Sequence, residues 1–146
     1  MRIAVLNGPN LNLLGTREPA IYGSTTLAQI EARLHDVGRE LRVEVECQQH
    51  NGEGALIDAI QALRGKADAA IINAGAYSHT SLAIRDAFAA VEIPFVEVHL
   101  TNIFAREPER RHSTLASGAR AVLCGFGAVG YELALRGLAA TPPSRV

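Results

Sequence analysis

Residues 69–99 read AAIINAGAYSHTSLAIRDAFAAVEIPFVEVH, and the order of events within them decides the fold. Ala69 to Ile72 is a short apolar run of the kind that marks a strand covered on both faces, and Phe95 to Val98 is a second. Between them Leu82, Ala83, Ala87, Phe88 and Val91 recur with helical spacing. Strand, helix and strand within about 30 residues is a crossover unit, which makes the two strands parallel and the connection right-handed.

The same alternation extends in both directions. Ile3 to Leu6, Val43 to Val45 and Ala121 to Leu123 read as further buried strands. Leu27, Ile30, Leu34, Val37 and Leu41 form the clearest helical stripe, and Thr26 with Gln29 is placed as its capping box. Leu56, Ile60 and Leu63 suggest another helix, and Val129, Leu133, Leu135 and Leu138 a last one. The expected fold is therefore α/β: a flavodoxin-like three-layer sandwich with a five-stranded parallel sheet of order 2-1-3-4-5 and helices on both faces. A chain of 146 residues suits one domain spanning 1–146, with a frayed end from Thr141.

Composition narrows the function classes. The formal net charge of -1 offers no global basic field for nucleic acid or an anionic membrane. No apolar run approaches the roughly 20 residues of a membrane span, and the N-terminus lacks a signal-like core. Cys47 and Cys124 end strand-like runs and read as small buried thiols, not a disulfide or metal pair, so a cytoplasmic home is expected. Lys66 is the single lysine and falls in the RGKAD turn, away from the polar clusters, which argues against Schiff-base chemistry.

Open parallel sheets bind ligands beyond the carboxyl ends of their strands, near the point where strand order reverses. The polar clusters follow that rule: Asn7 to Tyr22, Gln48 to Glu53, Asn73 to His79, and His99 to His112 each come after a strand. The first, containing GPNLNLLGTREPAIYG from Gly8 to Gly23, is too long for an ordinary turn and places Arg17 and Tyr22 on a segment able to open and close. Glu97 and His99 lie two apart and so emerge on one face of their strand, where a carboxylate orients an imidazole for acid catalysis; a satisfied core pair is the competing account. Adding His79 suggests a metal, but the spacing gives no ligand motif. Asn73, Gly75 and His79 occupy a strand-to-helix turn with Ser78, Thr80 and Ser81 available for capping. Arg106, Arg110, Arg111 and His112, with Glu107 and Glu109 among them, form a small basic cluster; a solvated charged loop is the default account, the alternative is one arginine clamping a substrate carboxylate, and spacing does not say which. GFGAVG, Gly125 to Gly130, matches a dinucleotide fingerprint, yet too little chain follows for the ribose-binding acid; helix-to-sheet packing explains its glycines better.

Six segments in order, LNGPNLNLLGTREPAIYG, QHNGEGALIDAI, INAGAYSHTSLAIRDA, VEVHLTNIFARE, RRHS and GFGAVGYELAL, resemble the type II 3-dehydroquinate dehydratases over nearly the whole chain. The resemblance implies reversible loss of water from 3-dehydroquinate to give 3-dehydroshikimate, through an enolate and with no cofactor and no metal. It makes Tyr22 the base, with Arg17 favouring its phenolate, Asn10 the enolate-stabilising group acting through a water, and His99, held by Glu97, the acid for the departing hydroxyl. Asn73, His79, Arg110 and the backbone of Leu100 and Thr101 match positions that hold the substrate. Asp86 matches a residue reaching a neighbouring subunit's site, which implies a trimer-based dodecamer. Ala74, His50, Phe104, Pro108 and Glu109 depart from the usual family residues, and none occupies a position assigned to proton transfer.

The competing readings are a flavodoxin-like nucleotide or flavin binder and a receiver-like module, since fold alone does not separate them from a lyase. A receiver needs clustered acids after the first strand, where this chain has Asn7, Gly8 and Asn10.

Overall fold

The computed structural model describes residues 1–143; the tail expected from Thr141 therefore falls in part outside the described residues. Five strands, β1 (Arg2–Asn7), β2 (Glu44–Gln49), β3 (Ala69–Asn73), β4 (Phe95–His99) and β5 (Ala121–Cys124), form one parallel sheet in the order β2-β1-β3-β4-β5. The helices are α1 (Pro19–Tyr22), α2 (Leu27–Leu41), α3 (Glu53–Gln61), α4 (Leu82–Val91) and α5 (Val129–Ala140).

Alternation along each strand divides the core. Ile3, Val5, Ile71, Val96 and Val98 face α2 and α5, whereas Ala4, Leu6, Ala70, Ile72 and Phe95 face α3 and α4. The capping box of α2 is complete: Thr26 Oγ1 accepts from Gln29 N–H at 3.2 Å and Gln29 Oε1 accepts from Thr26 N–H at 2.9 Å.

Three expectations about burial fail, each for a reason of position. β2 and β5 are edge strands, so Glu44, Ala121 and Val122 are exposed and the runs Val43 to Val45 and Ala121 to Leu123 are only partly covered. In α4, Leu82 and Ala83 are exposed, and the inward face is Ile84, Ala87, Phe88 and Val91; Ser81 caps the helix by accepting from Ile84 N–H, leaving Leu82 at the outward first position. In α5, Val129 and Leu133 are exposed, and Gly130, Tyr131, Ala134, Leu135 and Leu138 face the sheet. Gly130 sets that phase: a Cβ there would stand 3.4 Å from Val98 Cγ1, so the helix lies close against β4 at this glycine. This is the packing role expected of the glycine run, while Gly125 and Gly127 take positive φ in the turn before it.

The order in which strands are added reverses between β1 and β3, which are parallel neighbours with Asn7 opposite Asn73. Gly8 follows at a point where a Cβ would lie 2.4 Å from the Ala74 carbonyl oxygen, so only glycine lets the two turns pass. The mouth of the sheet opens at this switch point.

Candidate active site

Asn7 and Asn73 end adjacent strands and are tied together from below. Tyr131, wholly buried on α5, donates to Asn7 Oδ1 at 2.6 Å and accepts from Asn73 Nδ2 at 2.9 Å. Asn73 Oδ1 accepts from Gly75 N–H at 3.2 Å, so the side chain is held at both ends. Burial pushes the Tyr131 phenol up, which keeps it a neutral hydroxyl able to donate and accept at once. Tyr131→Phe should therefore cost about 1–3 kcal/mol, because it strands two buried amide groups, and lower Tm by about 3–10 °C in a thermal melt. Asn7 and Tyr131 were not recognised as part of the site from sequence; nothing local distinguishes a tyrosine that braces a strand end from one that fills a core.

Above this base lies a pocket lined by Asn10, Arg17, Tyr22, Asn73, His79, His99, Leu100, Thr101, Arg106 and Arg110 among others. Of the residues assigned from sequence it gathers all but two: Glu97, which sits directly behind His99, and Asp86, which lies exposed on α4 away from the pocket of its own chain. The pocket measures about 50 Å³, room for a water or two and well below the roughly 300 Å³ of ordinary ligand sites. The segment bearing Arg17 and Tyr22 forms part of its wall and is flanked by Gly15 and Gly23 at positive φ. A larger groove of about 550 Å³ lies at the far end of the sheet beside the edge strand β2, and Lys66 is there, remote from the acid-base residues. Strand polarity and side-chain chemistry both select the smaller pocket.

Glu97 is wholly buried and His99 nearly so; His99 Nε2 and Glu97 Oε1 are 2.6 Å apart. Ser113 Oγ donates to the same carboxylate oxygen at 2.6 Å. The His79 ring stacks on His99 with centroids 6.1 Å apart. His79 Nδ1 donates to the His112 carbonyl at 2.7 Å, and His112 Nε2 returns a 2.7 Å bond to the His79 carbonyl. Since a carbonyl only accepts, the neutral His79 ring carries its proton on Nδ1 and leaves Nε2 as an acceptor. Among the described residues no three histidine, cysteine, aspartate or glutamate side chains are grouped to hold a metal ion.

Burial lowers the pKa of His79, helped by His99 and Arg110 and opposed by the bond to the His112 carbonyl. A histidine disfavoured as a cation in the fold contributes stability that is present above its unfolded pKa of about 6.5 and is lost as pH falls through its lowered folded value. Thermal melts should show Tm declining below about pH 6.5, and His79→Asn should flatten that decline.

Two guanidinium groups flank Tyr22. Arg17 Cζ lies 4.7 Å from the ring centroid, against the face, and Arg106 donates from Nη2 to the Tyr22 hydroxyl oxygen at 3.4 Å. The bond to Tyr22 is the leading cause that pushes the Arg106 guanidinium further up, with burial opposing it. Arg17 alone was expected to act on the phenol; the group that reaches the oxygen is Arg106, and Arg17 covers the ring. Arg106 and Arg110 both line the pocket, whereas Arg111 donates to the Arg106 carbonyl at 2.5 Å and braces the loop, a division of labour that spacing did not reveal.

Asn10 adopts a left-handed conformation at φ 68°. Its backbone N–H donates to Asn51 Oδ1 at 3.0 Å, and Gln49 Nε2 donates to the same oxygen at 3.0 Å, fixing the lid's first turn to the loop after β2. Cys47 and Cys124 are unpaired, and burial pushes the Cys47 thiol up to about 12.

Fold and site together define an α/β enzyme with a tyrosine-arginine group facing a carboxylate-imidazole pair across a polar pocket. The family model for class II dehydroquinases matches residues 1–139, and the chain belongs to that family. It is 63% identical over 138 residues to a 3-dehydroquinate dehydratase of Gemmatimonas aurantiaca, covering 94% of this chain and 91% of that protein. It is 55% identical over 134 residues to a catabolic 3-dehydroquinase of Verticillium alfalfae, covering 92% and 89%. The type II dehydroquinase structure from Propionibacterium acnes superposes with a TM-score of 0.91 at 44% identity, covering 95% of this chain and 96% of that one. Membership in this family displaces the flavin-binding and receiver-like alternatives.

Proposed function

We infer that this chain reversibly dehydrates 3-dehydroquinate to 3-dehydroshikimate, a step of the shikimate pathway, through an enolate and without a Schiff base or metal. Tyr22, as phenolate, takes a proton from the carbon beside the ketone. The Arg106 N–H at its oxygen and the Arg17 guanidinium against its ring face place two cations beside this base. The electrons move onto the ketone oxygen, where Asn10, acting through a water, stabilises the enolate. The enolate then expels the hydroxyl as His99 supplies its proton, and water leaves the conjugated ketone. Asn73, His79, Arg110 and the backbone of Leu100 and Thr101 hold hydroxyls and carboxylate; neutral His79 accepts through Nε2.

The observation that carries this reading is the convergence of Tyr22 with two arginines and of His99 with a buried glutamate on one pocket. Residues 1–146 act as a single catalytic domain. The working unit is a trimer-based dodecamer: Asp86 and Leu82, one turn apart on the outer face of α4, are exposed and available to a neighbouring subunit, as are Phe126, Val129 and Leu133. Among the described residues no helix is long and apolar enough to cross a membrane, and we place the enzyme in the cytoplasm. Pure protein mixed with 3-dehydroquinate should generate the ultraviolet absorbance of the conjugated product. Borohydride added with substrate should not inactivate it, because Lys66 lies at the far end of the sheet. Absence of product from folded oligomer, or covalent trapping, would overturn the assignment.

A further inference from the structure

Ser113 stands behind the pocket, outside the group of residues that line it, and its hydrogen bonds are fully determined. Its Oγ accepts from Leu115 N–H at 3.1 Å and from Ala116 N–H at 3.2 Å, and it lies 2.6 Å from Glu97 Oε1. A serine hydroxyl has one proton and two acceptor sites. With both acceptor sites occupied by backbone donors, the proton is committed to Glu97. His99 Nε2 approaches the same oxygen at 2.6 Å, so Oε1 receives two donors and carries no proton itself. The hydrogen between the pair therefore resides on His99 Nε2, leaving Nδ1 as the ring atom available to the pocket. Glu97 Oε2 is buried without a partner, so the carboxylate is held through Oε1 alone. Without Ser113 its one remaining tether is the imidazole it has to orient.

Ser113 is itself seated by the loop that carries Arg106, Arg110 and His112. The next residue, Thr114, donates its N–H to the Ser78 carbonyl at 2.7 Å, and the His79–His112 exchange lies on the other side of Ser113. The turn that presents His79 and the strand that presents His99 are thus joined through one serine.

We propose that Ser113 is a positioning residue for the proton donor: its hydroxyl holds Glu97 Oε1 as an obligate acceptor for His99 Nε2–H, which orients the ring so that Nδ1 is the nitrogen that delivers the proton. This rests on His99 being the acid of the dehydration. In the intact oligomer assayed with 3-dehydroquinate, Ser113→Ala should lower kcat about tenfold, as loss of an orienting outer group does elsewhere, with KM within about threefold. Ser113→Thr, which keeps the hydroxyl, should restore most of kcat. In a Glu97→Ala background Ser113→Ala should change kcat by less than about twofold, because the acceptor through which it acts is gone. Should Ser113→Ala fail to fold, Ser113→Cys, whose thiol is a weak donor, reads the same loss. Unchanged kcat in these variants, or the same fractional loss with and without the Glu97 carboxylate, overturns the proposal. Wild-type protein unable to convert 3-dehydroquinate would instead defeat the underlying assignment.

Discussion

Tyr22→Phe is expected to lower kcat about 10³-fold while KM stays within a few-fold, the size of effect general-base catalysis commands. The substitution removes one oxygen and leaves the ring, so Arg17 keeps its contact with the aromatic face. Arg106 loses the acceptor for its 3.4 Å bond but remains at the pocket wall to meet the substrate. Binding should persist, and isothermal calorimetry with the product would show it. Retained turnover would move the base elsewhere. Arg106→Gln makes a companion measurement, since it removes the guanidinium beside the phenol oxygen while leaving Tyr22 in place; a kcat loss there with KM little changed ties the Arg106 contact to the chemical step.

The fold was legible wherever a strand lies inside the sheet. Ile71 and Val98 have neighbours on both faces and both edges, so burial demands uninterrupted apolar sequence there and the pattern is unmistakable. β2 and β5 relax that demand, and their partly polar, partly exposed residues were overread as buried runs. Helix phase was legible in α2, which has a clean stripe, and misread in α5, where a glycine marks the inward face and a hydrophobicity pattern gives glycine no weight. In the site, residues that follow strands were found because sheet polarity gathers them at one end. Spacing could not have found the bonds made by Tyr131, Ser113 and Arg106: they connect positions 124, 16 and 84 residues apart, and their partners are set by tertiary packing.

Glu97 separates charge from structure most sharply. Glu97→Gln keeps the shape and an amide oxygen able to accept from both Ser113 and His99, so Tm should change by only a few degrees. It removes the negative charge that stabilises an imidazolium, and kcat should fall about 10²-fold. Glu97→Ala removes the acceptor as well. Two donors that now meet at 2.6 Å on one oxygen would then point into a buried space, where stranding one partner of a buried pair costs about 3–5 kcal/mol. The alanine variant should therefore lose both stability and activity, and the glutamine variant activity alone. Measured side by side by thermal melt and initial rate, equal activity with normal Tm in the glutamine variant would reduce Glu97 to a satisfied core group. Loss of rate at unchanged Tm would make its charge part of the proton transfer, because the two variants share the missing carboxylate and differ in whether His99 still has an acceptor to face.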